Sequence, residues 1–120
     1  MPSRPNLLFI CSDQQRTDTI GAYGNDWIET PALNELASRS FVFENAYVTQ
    51  PVCSPARSTM MTGLYPHSAG VVRNSAPDRN YSNLFPDVKT IAQMVSDDYV
   101  CAKYGKWHLG DDLSPQRGFT

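Results

Sequence analysis

Asn6-Leu7-Leu8-Phe9-Ile10-Cys11-Ser12-Asp13-Gln14-Gln15-Arg16 is the stretch that decides the fold class. Leu7 to Cys11 is an unbroken apolar run that turns abruptly polar at Ser12, the pattern of a parallel strand covered on both faces. Asp13 is thereby set at the strand's carboxyl end, the place where open α/β sheets bind their ligands.

Working outward, Gly21 to Asn25 reads as loop, and Thr30-Pro31 supplies an N-cap and a first-turn proline for a helix with Leu33, Leu36 and Ala37 on its inner face. That helix is expected to end near Ser38 to Ser40. Ser40 to Ala46, rich in aromatic and β-branched residues, reads as a second strand. Cys53-Ser54-Pro55-Ala56-Arg57 then opens a helix through Ser58 to Thr62, with Gly63 as its stop, so Cys53 is expected at a helix N-terminus. Tyr65 to Phe85 lacks periodicity and reads as a long surface connection, with His67 a loop residue inside it. Val88, Ile91, Met94 and Val95 recur at helical spacing between Asp87 and Asp97-Asp98, and Tyr99 to Ala102 reads as a third strand leading to Gly105-Lys106-Trp107-His108. Strand, helix, strand, helix, helix, strand is the order of an α/β fold.

The 120 residues, 41% of them hydrophobic, suffice for one ordinary domain. Ten Lys and Arg against twelve Asp and Glu, with no block of like charge, point to no nucleic acid and no membrane surface as a partner. Leu7 to Cys11 is too short for a signal-peptide core or a membrane span, so a cytoplasmic location is expected. The three cysteines, Cys11, Cys53 and Cys101, show no CxxC spacing, which argues against a disulfide framework or a zinc knuckle. Cys11 and Cys101, each in an apolar run, are expected to be buried and inert, and Met60 and Met61 to pack the helix.

Three polar groups, Asp13 with Gln14, Cys53 with Arg57, and Lys106 with His108, are each expected just beyond a strand's carboxyl end or in a loop leading from one. Converging on one crevice, they would offer oxygen ligands for a hard cation, a nucleophile precursor at a helix N-terminus and three basic groups. That is equipment for handling a tetrahedral oxyanion, and it suggests hydrolysis of a sulfate or phosphate ester. Singly, each group has a plainer reading: Asp13-Gln14 a turn or cap, and Arg57, Lys106 and His108 solvated side chains.

Pro51-Val52-Cys53-Ser54-Pro55-Ala56-Arg57-Ser58-Thr59-Met60-Met61-Thr62-Gly63 resembles the sulfatase signature, with its C-x-P-x-R core. Asn6 to Gln14 and Gly105-Lys106-Trp107-His108-Leu109-Gly110 are similar to two further blocks of that family, in its order. The resemblance implies an alkaline-phosphatase-like α/β sandwich with a mainly parallel central sheet flanked by helices, of which residues 1–120 would be the N-terminal portion of a single catalytic domain, inactive by itself. It also implies that a maturation enzyme, reading Ser54 to Arg57, oxidises Cys53 to formylglycine, whose hydrate attacks sulfur and later expels sulfate by carbon–oxygen cleavage. Carried over by position, Asp13 and Gln14 together with the Cys53-derived group would bind one Ca²⁺ or Mg²⁺. Arg57 would steady the hydrate, Lys106 would bind the sulfate oxygens, and His108 would hydrogen-bond the formylglycine hydroxyl. The implied substrate is a sulfate-ester small molecule or a sulfated glycan.

Asp98, Cys101 and Tyr104 depart from the family's preferences for glycine, a hydroxyl residue and a small residue, and its second pair of metal ligands is expected downstream of Thr120. Three alternatives stand beside the sulfatase reading. One is a phosphonate monoester or phosphodiester hydrolase on the same frame, with which the Asp-Gln pair is compatible. Another is a thiol enzyme using Cys53 as thiolate with His108 as base. The last is a non-catalytic fragment or binding module.

Overall fold

A computed structural model describes residues 4–74, 83–95, 97–111 and 113–120. The chain divides into two compact units, Met1–Ala46 and Tyr47–Thr120. No helix among the described residues is long and apolar enough to cross a membrane.

In the first unit, two short 3-10 turns, Thr17–Thr19 and Gly21–Tyr23, precede helix α1, Pro31–Ser38. The expected boundaries of α1 are met at both ends, with Pro31 at the first helical position. Thr30, at the N-cap position, does not cap the helix through its hydroxyl. Instead its Oγ1 accepts from the Gly21 N–H at 2.8 Å and donates to Asn34 Oδ1 at 3.1 Å. Thr30 therefore ties the helix start to the preceding turn. The expected inner face is half open, with Leu33 and Leu36 exposed by 42% and 49%.

The strands expected over residues 7–11, 40–46 and 99–102 are not formed: no β-ladder occurs among the described residues. A strand is completed by a second backbone about 4.8 Å away that takes up its N–H and C=O groups. Among the described residues no backbone runs alongside any of the three stretches as a ladder, and in the last of them a lone backbone bond, Thr120 N–H to Cys101 O at 2.9 Å, stands in its place. Leu8 and Ile10 are 85% and 79% exposed, and Phe41, Phe43 and Val100 are likewise exposed. Cys11, expected in a core, is exposed with the rest of its run, and Cys101 is half-buried. The apolar pattern is correct for a doubly covered strand, but the cover is not supplied by the described residues.

The second unit holds the core. Ala69, Val71, Leu84, Trp107 and Leu109 form one buried cluster, flanked by Met61, Val88 and Phe119. Helix α2, Cys53–Thr62, ends at Gly63 in the left-handed conformation that lets its N–H close on Thr59 O at 2.8 Å. Its most deeply buried residues are Ser54, Pro55, Ser58 and Thr62 rather than its methionines. Met61 is partly buried and Met60 is 40% exposed. A hydroxyl stripe is tolerated there because Ser58 Oγ donates to Pro55 O and Thr62 Oγ1 to Ser58 O, so no polar atom of these two side chains is stranded.

The expected surface connection from Tyr65 to Phe85 is partly core. Helix α3, Pro66–Ala69, buries Pro66 and Ala69, and places His67 in its exposed part, its ring stacked on Tyr65 at 5.9 Å. Gly70 follows at φ 86, with the Phe85 ring so close that a Cβ would sit 2.8 Å from it. Residues 75–82 of that connection lie outside the described residues. The helix expected from Val88 to Val95 contracts to α4, Ile91–Met94. A capping box, Thr90 with Gln93, fixes its start, and Val95 is already extended.

Arg117 braces this half of the molecule. Its Nη1 donates to the carbonyls of Phe85, Pro86 and Val88 and its Nη2 to Leu84 O, at 3.0–3.3 Å. In return its own carbonyl accepts from the buried Thr90 hydroxyl at 2.6 Å.

Candidate active site

Helix α2 presents Cys53 at its first position and Arg57 one turn later, on the same side. Cys53 is half-buried and is a free thiol. Pro55 stands in the first turn, where its missing N–H removes nothing that the helix would have used. The lead-in is fixed by Thr49 Oγ1 on Thr59 Oγ1 at 2.9 Å and by Gln50 Nε2 on Val72 O at 3.4 Å.

Arg57 carries the main link. Its Nη1 donates to the backbone oxygen of Lys106 at 2.7 Å, joining α2 to a segment 49 residues away in sequence. A charged donor makes this a stronger bond than an ordinary amide pair. The segment itself is anchored by alternate side chains: Trp107 and Leu109 enter the core, Lys106 is exposed and His108 half-buried. Trp107 also meets Phe119 edge-on at 5.8 Å and takes Lys103 Nζ over its ring at 5.5 Å. Cys53, Arg57, Lys106 and His108 thus belong to one braced unit, with Arg57 turned to the Lys106 main chain.

Asp13 and Gln14 belong to the first unit, both exposed. Among the described residues, the non-glycine residues with positive φ are Gln14, His108 and Arg117, at 57°, 59° and 56°. Left-handed backbone of this kind costs of order 1 kcal/mol or more and concentrates at functional sites. Two of the three are residues singled out from the sequence, one on each unit.

For a hard divalent cation the donor chemistry of Asp13 and Gln14 is of the right type, a carboxylate and an amide carbonyl. The number is short, since such ions take about six or more oxygens, and no group of three or more His, Cys, Asp or Glu suited to a metal occurs among the described residues.

Two residues escaped the sequence reading. Asn74, placed in the surface connection, accepts a hydrogen bond from the Ser54 N–H on its Oδ1 at 3.0 Å. A signal existed: Val52 at the N-cap position has no side-chain acceptor, so the cap had to come from elsewhere. Arg117 left no such trace, because a clasp on main-chain carbonyls has no sequence spacing.

The sulfatase family model matches residues 5–120, and the chain belongs to the sulfatase family. It is similar to an uncharacterized sulfatase, YidJ, of Escherichia coli K12, at 36% identity over 88% of this chain and 20% of that protein. Arylsulfatase J of Mus musculus is 37% identical over 98% of this chain and 20% of its own length. N-acetylglucosamine-6-O-sulfatase of Bacteroides thetaiotaomicron is 31% identical over 97% and 19%. A solved chain from Bacteroides thetaiotaomicron VPI-5482, assigned to the sulfatases, superposes with a TM-score of 0.74 at 32% identity, over 90% of this chain and 23% of that one. The general fold is therefore that of a sulfatase, and the chain spans about a fifth of the length of the curated relatives it matches.

Proposed function

We propose that the protein is a sulfuric ester hydrolase whose nucleophile derives from Cys53. The observation that carries this reading is the Arg57 to Lys106 hydrogen bond, which ties the Cys53 helix to the Lys106–His108 segment in a chain of the sulfatase family. The three expected strands then belong to a mainly parallel sheet completed by further residues of an alkaline-phosphatase-like domain, which accounts for their uncovered apolar side chains.

In this mechanism Cys53, oxidised to formylglycine by a maturation enzyme that brings its own oxidant, supplies a hydrated aldehyde. One hydroxyl attacks sulfur and displaces the substrate's alcohol; the second then loses its proton, re-forms the aldehyde and expels sulfate by carbon–oxygen cleavage, and water restores the hydrate. Asp13 and Gln14 would hold Ca²⁺ or Mg²⁺, which when bound offsets negative charge developing on the sulfate oxygens. Lys106 binds those oxygens as a flexible point charge. His108 hydrogen-bonds the nucleophilic hydroxyl and can move its proton. Arg57 steadies the nucleophile and, through the Lys106 carbonyl, the backbone that carries both groups. The names of the relatives, among them an N-acetylglucosamine-6-O-sulfatase and ulvan-active sulfatases, support a sulfated sugar or a simple sulfate ester as substrate class.

Mass spectrometry of the Cys53 peptide, from the full-length protein expressed with its maturation system, is expected to show the aldehyde. Thiol throughout would overturn the mechanism. Hydrolysis of an aryl sulfate in Ca²⁺ or Mg²⁺ is expected to exceed that of the matching phosphonate and phosphodiester, and the reverse order would assign the protein to phosphorus esters. Lys106→Ala is expected to cost about 3 kcal/mol of transition-state stabilisation, a roughly hundredfold loss in kcat/KM.

A further inference from the structure

The first turn of α2 has an unusual cap. Val52 enters the helix with extended backbone, φ −133° and ψ 140°, and its apolar side chain offers no acceptor. The first helical bond is made by the Ala56 N–H, to Val52 O at 2.9 Å, and Pro55 has no N–H, so the orphan donors of this turn are those of Cys53 and Ser54. Ser54 is fully buried, and a donor left unsatisfied there bears its whole desolvation cost. Asn74, 20 residues on, meets it with Oδ1 at 3.0 Å.

Asn74 is itself well placed. Val71, fully buried, lies three residues before it, and the chain reaches Val71 through the Gly70 turn, held by Val71 N–H on Pro66 O at 2.9 Å. The Phe85 N–H closes the same corner on Ala69 O at 3.1 Å. The acceptor is therefore carried on an exposed stretch whose near end, Val71, is anchored in the core. Asparagine is also neutral. An aspartate would cap the turn at least as well, since negative charge suits a helix N-terminus, but it would set that charge beside the residue that must meet an anionic ester.

We propose that Asn74 is a positioning residue of this site: by accepting from the Ser54 N–H it fixes the first turn of α2, and so where the Cys53-derived group is presented, without adding negative charge. The functional half of this inference rests on Cys53 being the nucleophile precursor. Its structural half does not.

The test uses the full-length protein and two variants, Asn74→Ala and Asn74→Asp. Amide hydrogen exchange, resolved at Ser54, is expected to accelerate at least tenfold in Asn74→Ala and to return toward the parent rate in Asn74→Asp, with Gly63, at the far end of the helix, unchanged. In the matured protein, with an aryl sulfate as probe, Asn74→Ala is expected to lower kcat about tenfold with KM within twofold. Asn74→Asp is expected to keep kcat closer to the parent value and to raise KM severalfold, as a negative charge beside an anionic substrate should. Unchanged Ser54 exchange in Asn74→Ala would overturn the cap, and so would a loss of protection spread over all of α2. A kcat that survives in Asn74→Ala would overturn the positioning role. The exchange experiment needs no activity, so a protein that fails to hydrolyse sulfate while showing the Ser54 change rejects the proposed function and leaves the cap standing.

Discussion

The described residues of the two units, Met1–Ala46 and Tyr47–Thr120, are held by different means. The second unit contains all the buried residues of the described chain, with a cluster of Ala69, Val71, Leu84, Trp107 and Leu109 at its centre. The first has none, and its order comes from hydrogen bonds between side chains and backbone: Tyr23 Oη to Phe43 O at 2.8 Å, Asn25 Nδ2 to Asp18 O at 2.7 Å, and the Thr30 bridge. Burial is proportional to area removed from water, whereas an exposed hydrogen bond exchanges one partner for another at small net gain. The Cys53 helix and the Lys106–His108 segment are seated in the unit with a core, and Asp13 and Gln14 in the unit without one.

The largest expected contrast comes from truncating equivalent side chains. Leu109→Ala removes a leucine that is 3% exposed from the centre of the cluster, and is expected to lower the stability of its unit by about 3 kcal/mol, the transfer and cavity terms together. Leu36→Ala, on α1 at 49% exposure, is expected to cost less than about 1 kcal/mol. Denaturant unfolding of both variants measures the difference. Equal losses would mean that α1 has a buried face.

Next in size is the loss of Arg117. Arg117→Met keeps much of the side-chain volume and deprives four carbonyls, those of Leu84, Phe85, Pro86 and Val88, of their charged donor. A loss of about 2 kcal/mol is expected, because the side chain is only partly buried and water can reach some of those oxygens. Tyr23→Phe, which breaks the single Tyr23 to Phe43 bond of the first unit, is expected to cost under about 1 kcal/mol. Hydrogen exchange at residues 84–90 should accelerate in the arginine variant only.

What was legible in the sequence follows the same division. Helices α1 and α2 could be placed because their signals are local: Thr30-Pro31 at one start, and Gly63, free to adopt φ 72, at the other's end. The strands could not be verified from within, because a strand is a relation between two backbones and only one of them is written in a run such as Leu7 to Cys11. The Cys53 to Arg57 spacing and the Lys106 to His108 block were legible as motifs. That Arg57 reaches the Lys106 carbonyl, that Asn74 caps α2 and that Arg117 clasps residues 84–88 were not, since each joins positions 20 to 49 residues apart through main-chain atoms that every residue possesses. Thr90 with Gln93 is a readable capping box that marks the true start of α4, whereas the apolar periodicity from Val88 to Val95 predicts a longer helix.

The smallest effect belongs to the exposed ion pair of the first unit. Arg16 Nε and Nη2 donate to the two oxygens of Asp18 at 2.9 and 2.6 Å. The hydrogen bond from Arg16 holds the Asp18 carboxyl below the ordinary carboxylate value, outweighing an opposing effect of desolvation, and the Arg16 charge adds to the lowering. A carboxyl lowered in the folded state binds its proton less readily there than when unfolded. Its contribution to stability is therefore present above the unfolded value of about 3.9 and is lost as pH falls through the lower folded one. Arg16→Gln is expected to move the Asp18 titration, followed by carboxyl carbon shifts, back up toward the ordinary value, and salt should do the same in part. The unfolding midpoint at neutral pH should not change measurably, because both side chains stand in water. A measurable destabilisation would mean that the pair is shielded from water, and would narrow the difference in hydrogen-bond strength drawn between the two units.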